Sequence, residues 1–140
     1  MAREFDLSVE ARLENLSVVR SIIKKSGQIL GVDEEVLGDL GLVVDEAVTN
    51  IILHGYEGKD GTVDVRVIRD DDALVIYIRD QAKTFSASDV EAPHLETSLA
   101  EREYGGMGVY LIRKLTDEHE FRPLPGQGNE LRLVKRGAFS

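Results

Sequence analysis

Val63-Asp64-Val65-Arg66-Val67-Ile68-Arg69-Asp70-Asp71-Asp72-Ala73-Leu74-Val75-Ile76-Tyr77-Ile78 holds two apolar alternations, Val63/Val65/Val67 and Leu74/Ile76/Ile78, around the polar turn Arg69-Asp70-Asp71-Asp72. Side chains of a strand point alternately to the two faces of a sheet, so each half buries one face and wets the other. The short charged turn folds the second half back on the first as a hairpin. Strands adjacent in sequence therefore pair antiparallel, which sets the fold class.

Upstream, Phe5, Leu7 and Val9 repeat the strand period, and Leu16, Val19, Ile22, Ile23, Ile29 and Leu30 then change to helical spacing. Gly31 is a helix stop, and Asp33-Glu34-Glu35 places carboxylates at the positive N-terminus of a second helix, expected to run to about His54 and to end at Gly55. Downstream, periodicity is lost from about Gln81 to Tyr104. A loop of that length in a compact domain predicts a functional lid. Gly105-Gly106-Met107-Gly108 opens a helix carrying Val109, Leu111, Ile112 and Leu115, and strands follow at about residues 118–122 and 130–135. The order predicts an α+β fold, a two-layer sandwich of a mixed, mostly antiparallel sheet with helices on one face. No repeat, low-complexity tract or linker interrupts it, so residues 1–140 are expected to form a single domain.

Composition is that of a globular chain, 42% hydrophobic and 31% charged over 140 residues. The net charge of −9 repels nucleic-acid phosphates and anionic membrane surfaces, so direct binding to either is not expected. With no cysteine, no leader pattern and no apolar run of membrane-spanning length, the chain reads as cytoplasmic, without disulfide or zinc–thiolate chemistry.

Three features carry candidate chemistry. In Asp45-Glu46-Ala47-Val48-Thr49-Asn50, Glu46 and Asn50 lie one turn apart on the flank of the apolar stripe Leu40, Val43, Val44, Ala47, Val48, Ile51. Both can face a pocket at the core boundary, although a Glu and an Asn so spaced are commonly solvated. Asp80 ends an apolar strand, where a carboxylate can accept a hydrogen bond from an exocyclic amine or simply begin a turn. The glycines at 105, 106 and 108 open a helix whose free N–H groups suit an anion, and a hinge would need the same residues. They match neither the P-loop nor the Rossmann spacing. His54, one turn past Asn50, can cap the helix or touch a ligand, and the histidines at 54, 94 and 119 show no metal-ligand spacing.

In this order, Glu46-x-x-x-Asn50, Asp80, a lid and Gly105-Gly106-x-Gly108 resemble the GHKL ATPase family of gyrases, heat-shock chaperones and histidine kinases. More closely, Asp45 to Ile52 with His54-Gly55-Tyr56, Gly105 to Ile112 with Leu115 and Asp117-Glu118, and Gly128-Asn129-Glu130-Leu131-Arg132-Leu133 resemble the anti-sigma-factor serine kinases. The likeness spans about residues 5–135. It implies ATP and Mg2+ as cofactors, with Asn50 as the magnesium ligand and Glu46 as the residue that orients or deprotonates the attacking hydroxyl. It also implies Asp80 as the adenine-binding carboxylate and Gly105, Gly106, Met107, Gly108 and Val109 as the phosphate turn, with His54 and Ala82 beside the nucleotide. The implied partners are a sigma factor to sequester and a small antagonist protein to phosphorylate on serine, and a homodimer is one expected assembly. The family's first glycine box reads Asp-x-Gly-x-x-Phe, whereas Asp80-Gln81-Ala82-Lys83-Thr84-Phe85 has Ala82 in the glycine's place. The backbone tolerates that methyl if it avoids positive φ, and the methyl can still crowd the purine. Ala82 therefore favours a rival reading, a non-enzymatic ATP-binding module that acts by sequestration alone. A detached histidine-directed sensor-kinase domain is disfavoured by the short lid and the missing dimerisation helices.

Overall fold

A computed structural model of the chain describes residues 3–82 and 106–139, and for residues 106–109 the backbone alone. The strands are β1 (Glu4–Glu10), β2 (Thr62–Asp70), β3 (Ala73–Asp80), β4 (Glu118–Pro123) and β5 (Asn129–Lys135), and the α-helices are α1 (Leu16–Leu30), α2 (Glu34–Asn50) and α3 (Gly106–Leu115). The predicted lid falls almost wholly outside the described residues, as does Gly105.

The hairpin forms as its alternation requires, with Val63 opposite Asp80, Val65 opposite Ile78 and Val67 opposite Ile76. The sheet order is β1-β2-β3-β5-β4, and each pairing among the described residues is antiparallel, the antiparallel limit of the expected mixed sheet. Because β5 opposes both β3 and β4, those two strands run in the same direction with β5 between them, and α3 lies on the connection that joins them. The registers align rows across one face: Phe5, Val67, Ile76, Leu133 and His119, then Leu7, Val65, Ile78, Leu131 and Phe121. The central members of these rows are nearly inaccessible and meet the buried stripe of α2, Leu40, Val43, Val44, Ala47 and Val48. α2 is the middle of the helical layer, packed against both α1 and α3, while α1 also covers β1 and β2. The other face bears exposed Glu4, Asp6, Asp64 and Arg66, so it faces water. Val75 and Val134 are buried on that face as well, and so is one charged group, the Glu130 carboxylate, held by Arg79 Nε at 2.5 Å and an Arg122 guanidinium nitrogen at 2.9 Å.

α1 stops where Gly31 takes a left-handed φ of 91°, letting the Gly31 and Val32 amides bond back to the Gly27 carbonyl. The second helix departs from expectation. Its α-helical part ends at Asn50, and Ile51–Gly55 form a π-helical turn in which the Tyr56 amide reaches back five residues to the Ile51 carbonyl at 2.8 Å. Such widened turns are uncommon and concentrate at functional sites.

Candidate functional site

Val9, Val63, Asp80, Asn129 and Pro123 form one more row of the helix-facing side, at the end of the sheet nearest the C-terminus of β3. Asp80 and Asn129 are its two polar members, directly opposed on β3 and β5, and they are 5% and 7% exposed. Buried polar groups need partners. Asp80 Oδ1 accepts the Asn129 Nδ2 donor at 3.1 Å and the Ala82 amide at 2.9 Å. Both donors use Oδ1, so among the described residues Oδ2 keeps its lone pairs. Burial outweighs those two hydrogen bonds and raises the Asp80 pKa above the ordinary carboxylate value. Gly128 makes the close pairing feasible: its φ is +119°, and an added Cβ would stand 2.3 Å from the Asp80 carbonyl oxygen.

Above this row lies the end of α2. Asn50 is 7% exposed, and its side-chain amide makes no hydrogen bond among the described residues. Asn50 and Asp80, thirty positions apart, line one apolar cavity with Ala47, Ile51, Ile78, Ile112, Phe121 and Leu131. At about 20 Å³ it admits a water-sized guest, which makes it the floor of a site rather than a complete nucleotide pocket. Glu46 is half-buried one helical turn before Asn50. Asp45, beside it, receives Arg20 Nε at 2.6 Å, an ion pair that ties α1 to α2.

Other candidates fall elsewhere. His54 is exposed on the π turn and does not line the cavity. Gly106, Met107, Gly108 and Val109 form the first turn of α3, a helix that α2 packs against. Ala82 is 4% exposed and does not have positive φ, so its backbone does not demand glycine. Its methyl faces the π turn, since a methyl on Gly55 would lie 3.3 Å away. Ala82→Gly is thus expected to lower apo stability by about 1 kcal/mol, through a lost buried methyl and a freer unfolded chain, and to leave nucleotide affinity within about twofold. Urea denaturation beside nucleotide titration checks this, and a marked gain in affinity would show that the methyl crowds the base.

Two contributors escaped the sequence reading. In the sequence Asn129 is only a member of a terminal strand, yet the register sets it against Asp80. Tyr56 stands in the sequence only within the stretch His54-Gly55-Tyr56, yet it is buried and its hydroxyl accepts the amide of Gln81, the residue after Asp80. A polar residue at the start of a β-rich run was the available signal for Asn129.

A profile of the histidine kinase-like ATPase domain matches residues 9–135. The chain belongs to the histidine kinase-like ATPase family. Within that family its relatives include the anti-sigma F factor of Bacillus cytotoxicus, 32% identical over 136 residues that cover 96% of this chain and 93% of that protein. The anti-sigma F factor of Caldanaerobacter subterraneus subsp. tengcongensis is 30% identical over 130 residues, covering 93% of this chain and 91% of that one. The serine-protein kinase RsbW of Bacillus pumilus is 30% identical over 131 residues, covering 86% and 79%. Among solved structures, the RsbU and RsbW domains of a Mycobacterium tuberculosis protein superpose with a TM-score of 0.70 at 16% identity, over 96% of this chain and 32% of that longer one. That likeness supports the same fold for this histidine kinase-like ATPase domain. No helix among its described residues is long and apolar enough to cross a membrane.

Proposed function

We propose that this protein is a cytoplasmic, single-domain, ATP-binding anti-sigma factor that sequesters a sigma factor and, as a serine kinase, phosphorylates a small antagonist protein. The observation that carries the nucleotide part is the meeting of Asn50 and Asp80, two buried polar groups from different elements, over one apolar floor. The names of the relatives, anti-sigma F factor and serine-protein kinase RsbW, support the regulatory part.

In this reading the Asp80 carboxylate accepts the exocyclic amine of adenine. Apolar side chains of the floor pack against the base, a combination of few polar groups in an apolar lining that is common in ligand sites. Asn50 fits a magnesium ion by its chemistry: a neutral amide oxygen, free of protein partners among the described residues, suits a hard ion. Among the described residues no cluster of three acidic, histidine or cysteine side chains forms a cage, and Mg2+ bound through one or two protein oxygens takes its other ligands from phosphates and water. Bound there, the ion would neutralise phosphate charge. Glu46 orients the serine hydroxyl and takes its proton, and the α3 N-terminus serves the phosphates. The net charge of −9 suits a basic partner surface rather than nucleic acid, and a homodimer is a further expected assembly. The non-enzymatic reading draws less support from Ala82, whose backbone does not have the positive φ that would demand glycine, and the Ala82→Gly titration decides whether the methyl crowds the base.

Millimolar ATP with Mg2+ is expected to raise the melting temperature by several degrees, since a ligand at a hundredfold excess over Kd adds about 2.7 kcal/mol. Asn50→Ala should abolish the magnesium-dependent part and leave the apo melting temperature nearly unchanged, because no side-chain hydrogen bond is broken among the described residues. No shift in the wild type overturns the nucleotide assignment. Unfolding of the apo variant would make Asn50 a structural residue.

A further inference from the structure

The chain leaves its ladder immediately after Asp80, and what replaces the ladder is unusual. Gln81 carries the next backbone amide, and its partner is a side chain: the Gln81 N–H donates to the Tyr56 hydroxyl at 2.7 Å. That hydroxyl donates in turn to the Thr62 carbonyl at 2.6 Å, at the start of β2. One buried phenol thus ties the first residue of β2 to the peptide that follows the last residue of β3. Burial raises the phenol's pKa, which keeps its donor proton in place at ordinary pH.

Tyr56 is also the residue at which the π turn ends, six positions after Asn50. The clamp therefore joins the two halves of the site: Asn50 starts the turn, Tyr56 closes it, and the hydroxyl of Tyr56 holds the peptide beside Asp80. The ring has a made seat. A Cβ on Gly61 would stand 2.2 Å from a Tyr56 ring carbon, so only glycine lets β2 begin against the ring face. If Gln81 swings, the Ala82 amide on Asp80 Oδ1 swings with it, and one of the two bonds that orient the carboxylate is lost.

Building on the nucleotide reading above, we propose that Tyr56 is a positioning residue for base selection, its hydroxyl holding the Gln81 peptide so that the Asp80 carboxylate meets the amino group of the purine. The role acts through Asp80 and not on the phosphates. It predicts a defect in discrimination between purines rather than a general loss of binding.

The test compares ATP with inosine triphosphate, which has a carbonyl in place of the amine, by calorimetric titration of the whole chain with Mg2+. Wild type is expected to prefer ATP. Tyr56→Phe keeps the ring in its seat and removes the hydroxyl, and the preference should fall about tenfold through weaker ATP binding, with inosine triphosphate affinity nearly unchanged. In an Asp80→Asn background the same substitution should have no further effect on the ratio, because residues that act as one unit are not additive. Gly61→Ala, which leaves the hydroxyl but forces the ring from its seat, provides a second route to the same loss if Tyr56→Phe fails to fold. Equal weakening toward both nucleotides, or an unchanged ratio with a lowered melting temperature, overturns the positioning role and leaves Tyr56 structural. A wild type that binds neither nucleotide overturns the nucleotide reading and this inference with it, whereas a wild type that binds both equally overturns base reading by Asp80.

Discussion

Glu46→Gln is expected to lower phosphoryl transfer from ATP to the serine of a cognate antagonist by about 100-fold or more, 100-fold being the lower end of what one general base contributes beside intact phosphate positioning. The substitution keeps shape and hydrogen-bonding capacity and removes the charge and the basic oxygen. Glu46 lies one turn before Asn50 on α2 and is not among the residues lining the cavity, so nucleotide affinity should survive within a few-fold. Binding of the sigma factor should survive too, because sequestration needs no proton transfer. Radiolabel transfer from ATP, measured beside nucleotide and sigma-factor affinity, separates these effects. Equal transfer by variant and wild type would remove Glu46 as base, and no transfer by the wild type to a verified antagonist would favour sequestration alone.

Asp80→Asn is expected to weaken ATP binding by about 100-fold while leaving the apo protein at least as stable at pH 7. Two donors, the Ala82 amide and Asn129 Nδ2, converge on Oδ1 and would fix the new amide with its own oxygen toward them. Its NH2 then occupies the position of Oδ2, where it meets the purine amine donor to donor. A lost charge-assisted hydrogen bond with an unpaired donor left behind is worth a few kcal/mol. The stability effect follows from linkage. Burial raises the folded-state pKa of Asp80 above its ordinary 3.8, so the folded protein holds this proton more tightly than the unfolded chain does. The group's contribution is fully present below the unfolded value and is lost as pH rises through the folded value. At neutral pH the wild type therefore carries a buried charge at a cost that the variant avoids. Urea melts of both proteins at falling pH should show the variant's advantage shrink toward the acid side, and an advantage that grows there would reverse the assignment.

The hairpin was legible because its period of two is unbroken and its turn is charged, and α1 because Gly31 stops it at the left-handed position. The π turn was not legible. An apolar stretch such as Ile51-Ile52-Leu53 fits α and π windings alike over a single turn, and what marks the π turn is the Tyr56 amide reaching back to Ile51. The sheet order was equally hidden, since hydrophobic alternation says that β5 has a buried face but not that it enters between β3 and β4. Asn50 and Asp80 could be nominated individually as polar residues at the ends of apolar runs. Their shared cavity could not, and neither could Asn129, whose relation to Asp80 exists only through register. His54 shows the reverse case: its place one turn after Asn50 assumes continued α-helical winding, and the π turn leaves it exposed.

The insertion of the last strand between two earlier ones also bears on how the protein comes to be made. While a nascent chain emerges from the ribosome, β1, α1, α2 and the first hairpin can associate, but β3 then has a raw outer edge and Asp80 waits for a partner 49 residues later. Such distant pairing is the slow part of acquiring a topology. When β5 slides in, the edge is sealed and the polar pair completed in the same step. If Asp80 reads the purine as proposed, half-made copies would lack that finished grip, and ATP would lend its mass-action support only to molecules whose sheet is closed.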